Sequence, residues 1–299
     1  MYDVVIIGAG PAGLTAGIYA GRAGLDALII DSKQVGGTVN NAPLIENYPA
    51  FDAVEGMKLI ELMANQTKKY AEIREFTPVV EVTKVGDVFS IKTNDEEIEA
   101  KKVIFATGTN VRSLDAPGIE EYAGRGVSYC AVCDGNFFVD KEVLVVGGGN
   151  SAAVEALYLN RIGVKCSLVH RRDKLRCDAK LQRDLEDNDI KIYWNSEVKC
   201  VNGDVFVESA TLVNNRTNEE ITVEINGIFL SIGHDPNSQL AQSSGVECNE
   251  YGYIVVDENM STSIEGIYAA GDVTGGIKQI TVATAQGAIA SSDIQSKLM

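Results

Sequence analysis

The same glycine-rich pattern occurs twice in the chain, each time directly after a short apolar segment. The first copy is GAGPAG at 8–13, after the β-branched segment 3–7, and the second is GGGNSA at 147–152, after 142–146. Each copy continues into a helix-compatible segment and then into a second apolar segment. A strand, a tight glycine turn and a helix in this order are typical of dinucleotide-binding folds.

The spacing between each glycine turn and the end of the next apolar segment is the same in both copies. Gly8 and Asp31 are separated by 23 residues, and so are Gly147 and His170. A dinucleotide-binding fold contacts the adenosine ribose at about this offset. Because two copies with equal spacing are far more specific than one glycine motif, we predict two nucleotide sites.

The residues of each turn have distinct expected roles. The first glycine allows the turn, the second lets the backbone approach the pyrophosphate, and the third small residue lets the helix pack on the strand. The pyrophosphate is then expected on unpaired N–H groups at the helix N-terminus. The predicted contacts are Gly8, Gly10, Pro11, Ala12 and Gly13 in the first copy, and Gly147, Gly149, Asn150, Ser151 and Ala152 in the second.

The two copies differ where the second apolar segment ends. The first ends at Asp31, whose carboxylate suits a ribose hydroxyl, whereas the second ends at His170 and continues with Arg171, Arg172 and Arg176. Guanidinium groups match a phosphate, so the second copy is expected to bind the 2′-phosphate of NADP. The alternative is an ordinary basic surface loop.

The composition restricts where this protein acts. The 299-residue chain has a formal net charge of −16, from 42 acidic and 26 basic residues, so general nucleic-acid binding is not expected. No basic leader precedes the first apolar segment, and no apolar run approaches a membrane span. Of six cysteines only Cys130 and Cys133 lie close together, unlike a secreted disulfide framework. We therefore expect a cytoplasmic protein that binds neither nucleic acid nor membrane.

Further segments extend both units into an α/β fold. Predicted helices cover 12–23, 150–162 and 280–297, and predicted strands cover 27–30, 103–109, 166–169, 228–233, 253–257 and 266–273. Asp272 follows a glycine at a strand end and is expected to accept hydrogen bonds from cofactor hydroxyls, the alternative being a Gly-Asp turn. We predict two Rossmann-like three-layer dinucleotide-binding domains, with domain 114–239 inserted in a domain made of 1–113 and 240–299.

The Cys130–Cys133 pair lies just before the second glycine unit. The C-x-x-C spacing brings two sulfurs close enough to form a disulfide bond, and one thiolate of such a pair is often acidified. Structural zinc is an alternative, but the remaining cysteines and histidines supply no second ligand pair, so no metal is expected. A further alternative is that Cys130 and Cys133 are two inert buried thiols. Asp134 is expected to transfer a proton during thiol exchange, or else to cap a helix.

These motifs, in this order, resemble the low-molecular-weight thioredoxin reductases. The resemblance rests on GAGPAG at 8–13, ENYP at 46–49, ATGT at 106–109, CAVCD at 130–134, GGGNSA at 147–152, HRRDKLR at 170–176 and GDV at 271–273. It implies FAD in the outer domain, NADPH in the inserted domain and a homodimer. It also implies flavin contacts at Asn47, Thr107, Gly108 and Gln279. Two departures are Thr38 and Ala50, where the family usually has Gly-Gly-Gln and glycine.

The resemblance further implies a route for electrons from NADPH through FAD to the cysteine pair. Cys133 would face the flavin, and Cys130 would attack the disulfide of thioredoxin or of a thioredoxin/glutaredoxin-like protein. Rotation of the inserted domain about its two linkers would let the disulfide and the nicotinamide take turns. The alternatives are a flavin-dependent dithiol oxidase, which passes electrons to oxygen, and a non-catalytic nucleotide sensor.

Overall fold

A computed structural model describes residues 1–42 and 44–299. The chain forms two compact units, one made of Met1–Asn110 with Asp235–Met299 and the other of Val111–His234. The chain crosses between them three and five residues before the boundaries expected from the sequence, after Asn110 and after His234.

The helices and strands follow in chain order. The α-helices are α1 Pro11–Arg22, α2 Gly56–Thr67, α3 Ala131–Asp134, α4 Asn150–Arg161, α5 Ala179–Asp187, α6 Gln239–Ser243 and α7 Ile280–Leu298. The strands are β1 Tyr2–Ile7, β2 Ala27–Ile30, β3 Glu72–Arg74, β4 Val79–Val85, β5 Val88–Thr93, β6 Glu97–Phe105, β7 Thr109–Val111, β8 Val127–Ser128, β9 Glu142–Gly147, β10 Lys165–His170, β11 Lys191–Trp194, β12 Ser196–Gly203, β13 Val207–Asn214, β14 Glu220–Glu224, β15 Gly227–Ser231, β16 His234–Pro236 and β17 Ile267–Ala269.

The first unit is built on one mixed sheet with strand order β3-β2-β1-β6-β5-β4, and β17 pairs with β6. Strands β1, β2, β3, β6 and β17 run parallel, and β4 and β5 form an antiparallel extension. Val4 and Ile6 of β1 pack in the cluster that holds α1, α2 and α7, whereas Val5 and Ile7 pack in a second cluster with β5 and α6. Burial on both faces explains why this strand is apolar throughout.

The second unit has a parallel sheet of order β11-β10-β9-β15-β8 and an antiparallel sheet of order β12-β13-β14. Val143 and Val145 of β9 face the cluster that contains residues of α4 and α5, while Leu144 and Val146 pack with residues of the antiparallel strands. Helices, parallel sheet and antiparallel sheet thus form three layers. The predicted fold class, two Rossmann-like three-layer domains, is confirmed.

The predicted elements agree with the structure except at the ends of strands and in one segment that forms no strand. The segment predicted as a strand at 103–109 leaves the sheet after Phe105, and the one at 228–233 leaves after Ser231. Residues 253–257 were wrongly predicted as a strand, because only an isolated bridge from Cys248 to Ile254 pairs them. None of the helices in the described ranges combines the length and apolarity that a membrane span requires.

Candidate functional site

The first glycine turn joins β1 to α1 and tolerates no side chain at two positions. Gly8 has φ +112°, and a Cβ there would lie 2.2 Å from the Ala106 carbonyl oxygen. A Cβ on Gly13 would lie 1.9 Å from the Gly8 carbonyl oxygen. Gly10, in contrast, has open space where its Cβ would be. The turn is therefore packed against backbone atoms at Gly8 and Gly13, and it leaves space at Gly10 for a ligand to approach.

The N-terminus of α1 presents unpaired backbone N–H groups at this opening. Pro11 is the first helical residue, and the first turn has neither an acidic residue nor a side-chain cap. The first intrahelical bond that reaches back to the turn runs from the Leu14 N–H to the Gly10 carbonyl. Within the described chain, the N–H groups of Ala12 and Gly13 have no hydrogen-bond acceptor. Such a helix end is a site for an anion.

Asp31 lies at the end of β2, beside the same turn. Its Oδ2 accepts a hydrogen bond from the Ala9 N–H at 2.7 Å, and its Oδ1 accepts one from the Lys33 N–H at 2.8 Å. The carboxylate thus holds the glycine turn in place. Each oxygen keeps a second lone pair, which leaves Asp31 able to accept a ribose hydroxyl.

Asp272 is the second carboxylate near α1. It follows Gly271, whose φ is +82° and whose Cβ would lie 2.9 Å from the Ala12 Cβ. Burial raises the pKa of Asp272, and the charge of Lys278 partly opposes this. No described residue donates a hydrogen bond to the Asp272 carboxylate. A partly buried carboxylate without a donor fits a ligand that supplies a hydroxyl.

The remaining residues predicted beside the flavin lie in the first unit. Asn47 donates from Nδ2 to Oε1 of Gln279 at 3.1 Å, and Gln279 immediately precedes α7. The two departures from the family pattern lie nearby in sequence: Thr38 is exposed in a short 3₁₀ turn, and Ala50 has φ +81°. Ala50 therefore adopts the left-handed conformation that explains why glycine is usual at this position.

A residue that the sequence analysis missed organises the segment after β6. Asn237 donates from its backbone N–H to the Gly108 carbonyl at 3.0 Å and from Nδ2 to the Thr107 carbonyl at 3.0 Å. The Thr107 hydroxyl donates in turn to the Asn237 carbonyl at 2.6 Å. The contact spans 130 residues, so only the turn-forming Pro236-Asn237 sequence could have suggested it.

The second glycine turn repeats the packing of the first. A Cβ on Gly147 would lie 2.5 Å from the Ser231 carbonyl oxygen, while Gly149 has open space. Helix α4 begins with neither an acidic residue nor a side-chain cap. Among the residues that the structure describes, the N–H groups of Ser151 and Ala152 have no acceptor. The start of α4 therefore offers an anion the same kind of opening as the start of α1.

His170 occupies the position that corresponds to Asp31, but it faces inward. Its side chain is only 5% exposed, and its ring lies where a Cβ of Gly148 would be. Nε2 donates to the Lys174 carbonyl oxygen at 3.0 Å. Burial lowers the pKa of His170, and the charges of nearby arginines act in the same direction. His170 thus supports the loop from beneath as a buried ring.

The three arginines of the predicted phosphate site lie on the surface of the second unit. Arg171, Arg172 and Arg176 are exposed and form no ion pair within the described ranges. Asp173 in the same loop is already paired with Arg216 at 2.6 Å. The Arg176 N–H donates to the Gly148 carbonyl at 2.7 Å, which ties this loop to the glycine turn.

A second tie involves Asp178, which the sequence analysis also missed. Asn150 donates from Nδ2 to the Asp178 carboxylate at 2.9 Å, and the Asp178 N–H donates back to Oδ1 of Asn150 at the same distance. Ser151, next along α4, is exposed. The arginine loop is therefore held against the second glycine turn through the Arg176 backbone, and against the start of α4 through Asp178.

The predicted cysteine pair forms a disulfide bond in the second unit. Cys130 and Cys133 lie at the two ends of one helical turn, with their Cα atoms 5.3 Å apart. The Cys133 N–H also points at Sγ of Cys130, at 3.2 Å. Buried Ala131 and the close approach of Gly135 to α4 hold this turn in the core of the unit.

Asp134 follows the disulfide and is mostly removed from solvent. Burial raises the pKa of its carboxyl, and a hydrogen bond from Ser128 partly opposes the rise. The Ser128 hydroxyl donates to Oδ2 of Asp134 at 2.6 Å, and it accepts the Cys130 N–H at 3.2 Å. A carboxyl with a raised pKa beside two sulfurs is suited to proton transfer. Ser128 was not predicted, although it stands only two residues before Cys130.

Comparisons with known proteins agree with this geometry. A family model described as pyridine nucleotide-disulphide oxidoreductase matches residues 2–287. The chain is 42% identical over 300 residues to a thioredoxin reductase of Bacillus subtilis, covering 99% of this chain and 94% of that protein. The crystal structure of thioredoxin reductase from Streptococcus pyogenes is 41% identical with a TM-score of 0.94, covering 100% and 98% of the two chains. Thioredoxin reductase from Giardia duodenalis is 34% identical with a TM-score of 0.95, covering 99% and 98%.

Proposed function

We propose that this chain, which belongs to the pyridine nucleotide-disulphide oxidoreductases and within them to the thioredoxin reductases, is an NADPH-dependent thioredoxin-disulfide reductase. Its cofactors are FAD and NADPH. The observation that carries the proposal is the Cys130–Cys133 disulfide next to Asp134, in the same unit as a nucleotide turn flanked by unpaired arginines. Together these groups hold a reducible bond, a proton donor and a site for a phosphorylated nicotinamide nucleotide.

The first unit would hold FAD. The N–H groups of Ala12 and Gly13 would bind its pyrophosphate, and Asp31 would accept a hydroxyl of its adenosine ribose. Asp272 would accept a hydroxyl that removes the cost of leaving its carboxylate buried without a donor. Asn47 and Gln279 would contact the isoalloxazine, and Thr107 and Gly108 would line the site from the segment that Asn237 orders.

The second unit would hold NADPH. The N–H groups of Ser151 and Ala152 would bind the pyrophosphate, and Gly149 leaves the space for its approach. Arg171, Arg172 and Arg176 would contact the 2′-phosphate, while His170 and Asn150 act by fixing the loop and the start of α4. When bound, these cofactors would supply hydride chemistry from the nicotinamide and a two-electron relay through the flavin to the Cys130–Cys133 disulfide.

The thiols formed by this reduction would then carry out exchange with thioredoxin. The Cys130 thiolate attacks one sulfur of the partner's disulfide, forms a mixed disulfide and releases the other sulfur as a thiolate. The Asp134 carboxyl, protonated more readily because it is buried, donates a proton to that thiolate. The Cys133 thiol then returns a proton to the Asp134 carboxylate, and the resulting Cys133 thiolate attacks Sγ of Cys130. The Cys130–Cys133 disulfide re-forms, and the second partner sulfur leaves as a thiolate that takes this proton from Asp134. Thioredoxin gains two electrons and two protons.

The dithiol oxidase alternative finds no support. An oxidase has no need of NADPH, yet three arginines without an ion-pair partner in the described part of the chain follow the second glycine unit. The partner in turnover is proposed to be thioredoxin, or a thioredoxin/glutaredoxin-like protein, because the relatives with full coverage are named thioredoxin reductases.

We further propose a cytoplasmic homodimer, to be tested by light scattering of the holoprotein. The four other cysteines, unpaired in the structure, agree with a reducing compartment.

The experiment that tests the function compares two serine variants. Cys130→Ser and Cys133→Ser should both abolish NADPH-driven reduction of thioredoxin, since each removes one sulfur of the exchange. Cys166→Ser, which alters a free thiol elsewhere in the same unit, should keep wild-type turnover. A Cys130→Ser protein that reduced thioredoxin at the wild-type rate would overturn the proposal.

A further inference from the structure

A buried hydroxyl connects the disulfide with the acid beside it. Ser128 is 6% exposed and is the last residue of β8, which pairs with β15 in the central sheet of the second unit. Its Oγ lies 2.6 Å from Oδ2 of Asp134 and 3.2 Å from the backbone nitrogen of Cys130. One side chain thus contacts both the proposed proton donor and the residue proposed to attack the partner.

Ser128 is the only side chain within the described residues that donates a hydrogen bond to the Asp134 carboxyl. The backbone of Asp134 is held separately, by its own N–H bond to the Cys130 carbonyl at 3.1 Å. Without the hydroxyl, the carboxyl would keep its place along the chain but would lose the contact that fixes the rotation of its side chain.

A hydroxyl suits this position because it serves both protonation states of the carboxyl. It donates to an ionised carboxylate, and after a half-turn about its C–O bond it accepts from a protonated one. A cation in its place would favour only the ionised form. The Cys130 N–H reaches the same oxygen, so the hydroxyl is oriented from the other side by the disulfide turn itself.

We propose that Ser128 is a positioning residue of thiol exchange, which holds the Asp134 carboxyl in line with the Cys130–Cys133 turn before and after each proton transfer. This inference rests on the proposed function. Its step is the one given above: the partner's S–S bond breaks as the Cys130–sulfur bond forms, and the Asp134 proton goes to the departing sulfur. Ser128 takes part in no bond that is made or broken.

The test is the pH profile of kcat/KM for oxidised thioredoxin, measured with the holoprotein and its Ser128→Ala variant. We expect about a tenfold loss at neutral pH, the size of one hydrogen bond to a charged group. The alkaline limb of the profile should move to higher pH, because the carboxyl loses the donor that favours its ionised form. The rate of flavin reduction by NADPH should be unchanged.

Two further variants separate positioning from general damage. Ser128→Ala introduced into Asp134→Asn should cause no additional loss, since the group it positions is already absent. Ser113→Ala, which removes an exposed hydroxyl of the same unit that contacts Tyr129, should behave as wild type. An unshifted pH limb in Ser128→Ala, or a full tenfold loss in the Asp134→Asn background, would overturn the inference. A wild-type protein unable to reduce thioredoxin would instead overturn the function itself.

Discussion

The two glycine turns use the same backbone but differ in what surrounds them. In the first unit Asp31 fixes the turn through the Ala9 N–H and keeps lone pairs for a ribose. In the second unit the corresponding residue, His170, is buried under Gly148, and exposed arginines follow it. On the proposed function, the glycine backbone would determine where a pyrophosphate binds, and the residues after the second strand would determine which nucleotide is selected.

The two units also differ in how a partly buried carboxyl finds its hydrogen-bond donor. Asp272 in the first unit has a raised pKa and no hydrogen-bond donor among the described residues. Glu155 in the second unit also has a pKa raised by burial, but it accepts a hydrogen bond from Ser231. The first carboxyl is left for a ligand to satisfy, whereas the second is satisfied within the protein.

The largest effect on cofactor binding is expected when the first glycine of either turn is replaced by alanine. In Gly8→Ala the new Cβ would lie 2.2 Å from the Ala106 carbonyl oxygen, and the alanine would have to adopt φ +112°. The steric overlap and the backbone strain should each cost about 1–3 kcal/mol. The purified protein should lack flavin absorbance. Gly147→Ala should retain flavin but lose NADPH binding, as measured by calorimetry. Flavin lost equally from both variants would contradict the assignment of one cofactor to each unit.

The arginine loop should account for nucleotide preference. Replacing Arg171, Arg172 and Arg176 together with glutamine should raise the dissociation constant for NADPH roughly 100-fold, about 2.8 kcal/mol, because charge-assisted bonds to the 2′-phosphate are lost. Affinity for NADH should stay nearly the same. Arg216→Gln, whose guanidinium is paired with Asp173, is the matched control and should change neither. Equal weakening of both nucleotides would mean that the loop does not read the phosphate.

The pH dependence of the melting temperature should distinguish the two partly buried carboxyls, Asp272 and Glu155. Because the folded-state pKa of Asp272 is raised, its contribution to stability is complete below the ordinary carboxyl pKa and is lost as pH rises through the raised value. Asp272→Asn should therefore raise the melting temperature of the flavin-free protein at pH 8 by on the order of a few degrees, and not at pH 4. Glu155→Gln should give a smaller rise, because Ser231 already stabilises the ionised form. A larger rise for Glu155→Gln would reverse the contrast.

The smallest effect is expected on the free energy of unfolding, when the backbone strain at Ala50 is relieved. Ala50→Gly should stabilise the first unit by ~0.5–1 kcal/mol, since the left-handed strain of alanine exceeds the entropy cost of glycine. Asn195→Gly in the second unit, at φ +50°, should give no gain because asparagine tolerates this conformation. Chemical denaturation of each variant measures both changes. Destabilisation by Ala50→Gly would show that the alanine methyl makes contacts that outweigh its strain.

The repeated turns, the fold class and the cysteine pair were all predictable, because each follows from residues close together in sequence. Gly8 and Gly147 each reveal a strand–turn–helix unit by local pattern alone. Asn237 and Asp178 were missed because their partners, Thr107 and Asn150, lie 130 and 28 residues away. The inward turn of His170 depends on Gly148 having no side chain, which local spacing does not encode.

The proposed function depends on electrons passing from NADPH to the cysteine pair and then to thioredoxin. Its most direct test is anaerobic: the yellow holoprotein is titrated with NADPH until the flavin absorbance is lost, and oxidised thioredoxin is then added. The absorbance should return in wild type as thioredoxin thiols appear, and it should not return in Cys130→Ser. A wild-type protein whose flavin NADPH leaves unchanged, or whose reduced form thioredoxin fails to reoxidise, would contradict the account.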